Sequence, residues 1–120
     1  MAILSTHTLD SVSGNSAISV RVQLFRLLGD CEKDLVFDTR TNQEGRLSET
    51  FESGGGAAED YELIFHSGDY LGQKNLQEVE PVMDSVVIRL HVSDFERRYL
   101  IPLLIAPDNY TVWWSGTPEK

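Results

Sequence analysis

The stretch AISVRVQLFRL, residues 17–27, decides the fold. Ile18, Val20, Val22 and Leu24 fall on one side of a period of two, and Ser19, Arg21 and Gln23 on the other. A helix repeats its apolar residues every three or four positions. Alternation of this kind predicts a strand buried on one face. The same period continues outward. Towards the N-terminus, AILSTHTLD (2–10) sets Ile3, Ser5, His7 and Leu9 against Ala2, Leu4, Thr6 and Thr8, and DSVSGN closes it with a turn. Towards the C-terminus come KDLVFDTRT, RLSETFE, DYELIFH, DSVVIRLHV, RRYLIPLLIA and NYTVWW, rich in β-branched and aromatic residues. Turn chemistry separates them, as in TNQEGR, where Asn42 and Gly45 sit, and in SDFE and APDN. The only helical candidate is SGDYLGQKNLQ, residues 67–77. About eight short strands and at most one short helix predict an all-β, two-sheet sandwich or a barrel, with residues 1–120 as a single domain.

Composition narrows the function. The chain has 120 residues, enough for one core without covalent staples. Its formal net charge is −9, which opposes binding to nucleic acid or to an anionic membrane surface. No apolar run approaches the roughly 20 residues of a membrane helix, and nothing at the N-terminus reads as a signal peptide. Cys31 is the single cysteine, so no internal disulfide forms. A cytoplasmic location is the expectation.

Several constellations of reactive residues fail on spacing. His7, His66 and His91 lie on three different strands, and no metal site is expected from them. No GxSxG elbow accompanies the serines. SGGGAAED (53–60) lacks the spacing of a phosphate loop. Glu78 and Glu80 beside Pro81 read as a solvated loop. The adjacent Trp113 and Trp114 must point to opposite faces of a strand, one available to the core and the other left to cover a subunit, a ligand or a loop.

THTLDSVSGNSAISVRVQLFRL, TNQEGR, YELIFHSGDYL and RRYLIPLLIAPDNYTVWW occur in that order. Together, from about Ile3 to Trp114, they resemble the transthyretin and 5-hydroxyisourate hydrolase family. RRY before an apolar strand is similar to transthyretin, whereas YELIFHSGDY and IPLLIAP are closer to the hydrolase branch. The resemblance implies an eight-stranded sandwich, a homotetramer built as a dimer of dimers, and a site in a channel between dimers. There the hydrolase branch opens the ring of hydroxyisourate, a product of urate oxidation in purine metabolism, without cofactor or metal.

The same resemblance assigns roles residue by residue. His7 occupies the histidine of a THxLD motif, and Arg46 follows the turn glycine. The family's second histidine, in HYHVPLL, is Leu100 here, and its closing YRGS tetrapeptide is WWSG, residues 113–116. Two elements are kept and two replaced. His7 is expected to act as general base on a water, and Arg46 to hold the oxygen that becomes negative. Leu100 can transfer no proton. Period-two counting puts Leu100, Pro102 and Leu104 on one strand face and Thr111, Trp113 and Ser115 on the next strand. They are expected to bind a small-molecule substrate. A one-residue slip in the tail would exchange the hydroxyl of Ser115 between faces. His91, with Arg89 on its face, is a candidate substitute for the lost histidine, though an interface or surface role suits it better. His66 before its Gly-Asp turn suits a structural role. Two other functions remain open. One is an enzyme of the same fold repurposed for ring rearrangement or cyclisation of a more apolar metabolite. The other is a non-catalytic ligand carrier, which the missing signal peptide and the retained His7 and Arg46 disfavour.

Overall fold

The computed structural model describes residues 1–29, 31–74 and 82–118. Glu78, Glu80 and Pro81 lie outside them. Strands β1 (Ala2–Asp10), β4 (Arg46–Phe51), β7 (Arg97–Leu100), β8 (Leu103–Ile105), β9 (Tyr110–Val112) and β10 (Ser115–Pro118) form one sheet. Strands β2 (Arg21–Leu27), β3 (Lys33–Arg40), β5 (Glu59–Phe65) and β6 (Val86–Val92) form the other, in the order β3-β2-β5-β6. One helix, α1 (Ser67–Lys74), follows β5. The all-β two-sheet fold with one short helix is therefore as the sequence predicts.

The ten segments make eight rows. β1 pairs in parallel with β7 at Ile3–Ser5 and with β8 at Thr8–Asp10, and the register offset is the same on both sides of the gap. β10 pairs with β7, and β9 with β8, also in one shared register. RRYLIPLLIA is thus one row interrupted at Ile101–Pro102, where proline offers no N–H to the ladder. Ile101 N–H still donates to the Ser5 carbonyl at 2.8 Å. The facing row is interrupted at Trp113–Trp114 and resumes as β10, which SGTP does not advertise as a strand.

The inner faces carry the core. Ala2 and Leu4 from β1, Val22 and Leu24 from β2, Tyr61, Leu63 and Phe65 from β5, and Leu103 and Ile105 from β8 are all essentially inaccessible. Burial of each large side chain contributes about 1.5–3 kcal/mol. Phe51 meets Tyr61 edge-to-face, with ring centroids 5.2 Å apart. The N-terminal part of the AISVRVQLFRL reading needs correction. β2 begins at Arg21, Ser19 takes φ +61°, and Ile18 stays exposed. Thr41 causes this: its carbonyl accepts Ser19 N–H and its Oγ1 accepts Val20 N–H, which bends the chain before the strand starts.

The glycine-rich loop binds its own chain. Gly54 N–H donates to the Glu59 carboxylate at 2.9 Å and Gly56 N–H at 3.1 Å. Burial pushes the Glu59 carboxyl up, but these donors, the Tyr61 hydroxyl and Arg26 together hold it below the usual range. Helix α1 is anchored by buried Tyr70, whose hydroxyl donates to Asp10 Oδ2 at 2.9 Å. No described helix is long and apolar enough to cross a membrane.

Candidate active site

Residues directly opposite on neighbouring strands share a face, with Cβ atoms about 4.5–5.5 Å apart. This rule places the predicted site residues. His7 pairs with Arg46 across β1 and β4. Carried through the two-residue gaps, the register sets Pro102 opposite His7, and Trp113 opposite Pro102. One row across the outer face of the six-stranded sheet therefore runs Arg46, His7, Pro102, Trp113. The next row runs Ser48, Ser5, Leu100, Ser115. On the other side of the His7 row stand Leu9, Leu104 and Thr111. All eight predicted residues thus lie on one face, within three adjacent rows.

The face is graded. On the β4 side it is polar. The hydroxyls of Ser5 and Ser48 are bonded at 3.3 Å. A cleft of about 530 Å³ opens there, lined by Ser5, Arg46, Ser48, Arg98 and Leu100 and also by Thr39, Arg40 and Asn42. On the side of β8 and β9 it is apolar, with Leu104 half-buried, Pro102 buried and Trp113 half-exposed. The His7 and Arg46 side chains have no hydrogen-bond or ion-pair partner among the described residues. Arg46 is exposed and His7 partly exposed, so both can be reached by a ligand.

Arg46 is placed by its turn. Gly45 has φ +74°, and a Cβ there would collide with the Thr8 carbonyl. Thr8 N–H donates to the Gly45 carbonyl at 2.7 Å. Asn42 Oδ1 accepts the N–H groups of Glu44 and Arg46. These bonds lock β4 to β1 in the register that sets Arg46 opposite His7.

Ser115 stands directly opposite Leu100, so the tail brings a hydroxyl to that row. The tryptophans split as alternation requires, but neither is core. Trp114 turns to the sandwich edge against Tyr99, centroids 6.1 Å apart, and both tryptophans are about half-exposed. The other histidines are elsewhere. His91 is on β6 of the opposite sheet, with Nδ1 2.7 Å from Asp60 Oδ1. His66 Nε2 lies 2.7 Å from Gln23 Oε1, and its backbone N–H donates to Arg21. Among the described residues no group of three or more His, Cys, Asp and Glu is placed to hold a metal ion.

Sequence reading missed Ser5, Ser48, Arg98 and Arg40. Period-two counting from Leu100 reaches Arg98, and from His7 reaches Ser5. Arg40 belongs to the other sheet, and only the tertiary fold brings it to the cleft.

Comparison with known proteins agrees with this fold. Residues 4–114 match the model of the HIUase/Transthyretin family. The 5-hydroxyisourate hydrolase 2 of Rhizobium meliloti is 34% identical over 112 residues, covering 92% of each chain. The 5-hydroxyisourate hydrolase of Deinococcus radiodurans is 36% identical over 111 residues, again 92% of each. Among solved structures, the Klebsiella pneumoniae 5-hydroxyisourate hydrolase superposes with TM-score 0.75 at 28% identity, over 96% of this chain and 99% of that one. An (S)-allantoin synthase superposes with TM-score 0.78 at 27% identity, over 95% of this chain but 43% of that longer one. The chain belongs to the HIUase/transthyretin family.

Proposed function

We propose that this protein is an enzyme of the 5-hydroxyisourate hydrolase type, opening the ring of a small cyclic amide in urate degradation. It acts in the cytoplasm as a homotetramer, with the outer faces of the six-stranded sheets walling a channel between dimers. The observation that carries the reading is His7 opposite Arg46, both without side-chain partners among the described residues, beside a polar cleft. The names of the relatives support it.

The chemistry follows from the two side chains. Neutral His7 takes a proton from water as its oxygen attacks a ring carbonyl carbon. Negative charge gathers on the carbonyl oxygen, where the fixed fork of Arg46 donates to it. Collapse of that intermediate breaks the ring C–N bond, and the imidazolium returns its proton to the leaving nitrogen. Ser115, opposite Leu100, contributes a hydroxyl that orients water or substrate. Leu100, Pro102, Leu104, Thr111 and Trp113 seat the ring.

The apolar side of the face favours a second reading, a repurposed enzyme rearranging or cyclising a more apolar metabolite. The test is the absorbance decay of freshly made hydroxyisourate with wild type and Leu100→His. Wild-type acceleration supports the hydrolase, and a further gain in Leu100→His places Leu100 at the reacting centre. Activity in Leu100→His alone marks a repurposed site. Decay equal to buffer for both removes hydroxyisourate as substrate.

A further inference from the structure

The chain has seven arginines among 19 acidic residues. Four have found carboxylates: Arg21 with Asp38 at 2.6 Å, Arg26 with Glu59 at 3.3 Å, Arg89 with Glu62 at 3.0 Å and Arg97 with Asp94 at 3.9 Å. The other three are Arg40, Arg46 and Arg98. None is ion-paired among the described residues, and all three line the cleft beside His7. Arg40 donates only to the Ser19 carbonyl, at 3.1 Å. Glu49 is the one carboxylate among the cleft's lining residues, and it pairs with none of them. Three like charges around one cleft repel one another, and a bound anion relieves that repulsion. The proposed reaction uses one of them, Arg46. Two remain unassigned.

We propose that Arg98 and Arg40 form a second anion-binding element, and that the preferred substrate is a cyclic amide carrying a carboxylate. The inference rests on the hydrolase reading for the position of the ring. Arg98 pairs with Ile3, four residues from His7 on β1, or about 13 Å along the strand. The cleft lined by Arg46 also reaches Arg98 and Arg40, so a ring held at His7 and Arg46 can extend a substituent towards them. Guanidinium forks suit a carboxylate, which accepts two parallel hydrogen bonds. The two arginines are specificity-determining residues, outside the bond-breaking step.

Orotate and uracil provide the probe, because they share a cyclic amide ring and differ by one carboxylate. Their binding is measured by calorimetry to the full chain, wild type, Arg98→Gln and Arg98→Lys, at low and high salt. Sedimentation is run in parallel. The expected result is orotate binding at least about tenfold tighter than uracil, a preference lost in Arg98→Gln, partly kept in Arg98→Lys and weakened by salt. Equal binding of the two ligands, or an orotate preference untouched in Arg98→Gln, overturns the inference. Dissociation of the assembly by Arg98→Gln also overturns it, since the arginine would then serve a subunit contact. Hydroxyisourate turnover separates the two levels. Turnover without an orotate preference leaves the hydrolase and removes the second anion element. A preference without turnover supports the anion element and removes hydroxyisourate as the substrate.

Discussion

On the outer face of the four-stranded sheet, charges answer one another. Arg21 is bound to Asp38, Glu62 sits between Lys33 and Arg89, and His91 leans on Asp60. On the outer face of the six-stranded sheet the same residue types stand alone: His7, Arg46 and Arg98 have no such partners among the described residues. Both faces are strand surfaces of one small sandwich, with a histidine and arginines on each. Self-paired charges make a solvated face, because pairing leaves little to offer a ligand. Unpaired charges grouped beside a cleft make a face that gains by binding. His91 belongs to the paired face, on the sheet opposite Leu100 and 2.7 Å from Asp60.

The comparison breaks most visibly through catalysis. Arg46→Gln is expected to lower kcat for ring opening by about 10²–10³, the usual effect of losing one donor to a developing oxyanion. The matched Arg89→Gln on the paired face is expected to leave kcat unchanged, and steady-state kinetics on both variants checks this. Next comes the joint that sets the register. Gly45→Ala forces a Cβ against the Thr8 carbonyl at φ +74° and is expected to cost about 1–3 kcal/mol. Urea unfolding measures that cost, and the variant's kcat should fall further than its stability explains, because Arg46 follows directly. The smallest effect belongs to the paired face. The hydrogen bond from Arg89, opposed by burial and aided by Lys33, holds the Glu62 carboxyl below its ordinary range. A depressed carboxylate contributes stability above its unfolded pKa and loses it as pH falls through the folded one. Glu62→Gln is therefore expected to flatten the melting curve's pH dependence below about pH 4.5 and to shift Tm by only a few degrees near pH 7.

The faces were legible in the sequence and the pairings were not. Alternation in AILSTHTLD separates Leu4 and Thr6 from Ser5 and His7, and the structure turns the first set into the core while Ser5, though buried, lies on the outer face with His7. The same counting carries Leu100, Leu104, Thr111 and Ser115 to one face. It fails at Ile18, because the bonds from Thr41 that bend residues 18–20 are tertiary. It does not show β10, whose Ser-Gly-Thr-Pro composition argues for a turn until β7 offers an edge to pair with. Nor does it show which arginines are free. Arg46 and Arg89 are alike in sequence, and only the register tells that Glu62 faces one and His7 the other.

The proposed chemistry belongs to the His7 face, where His7 and Arg46 have no side-chain partner among the described residues. The most direct measurement is the decay of freshly made hydroxyisourate with wild type, His7→Ala and His91→Ala side by side, each checked for folding by circular dichroism. The account predicts that wild type and His91→Ala accelerate decay equally and that His7→Ala loses about 10²-fold or more while remaining folded. Acceleration that survives in folded His7→Ala, or that disappears in His91→Ala, would contradict it.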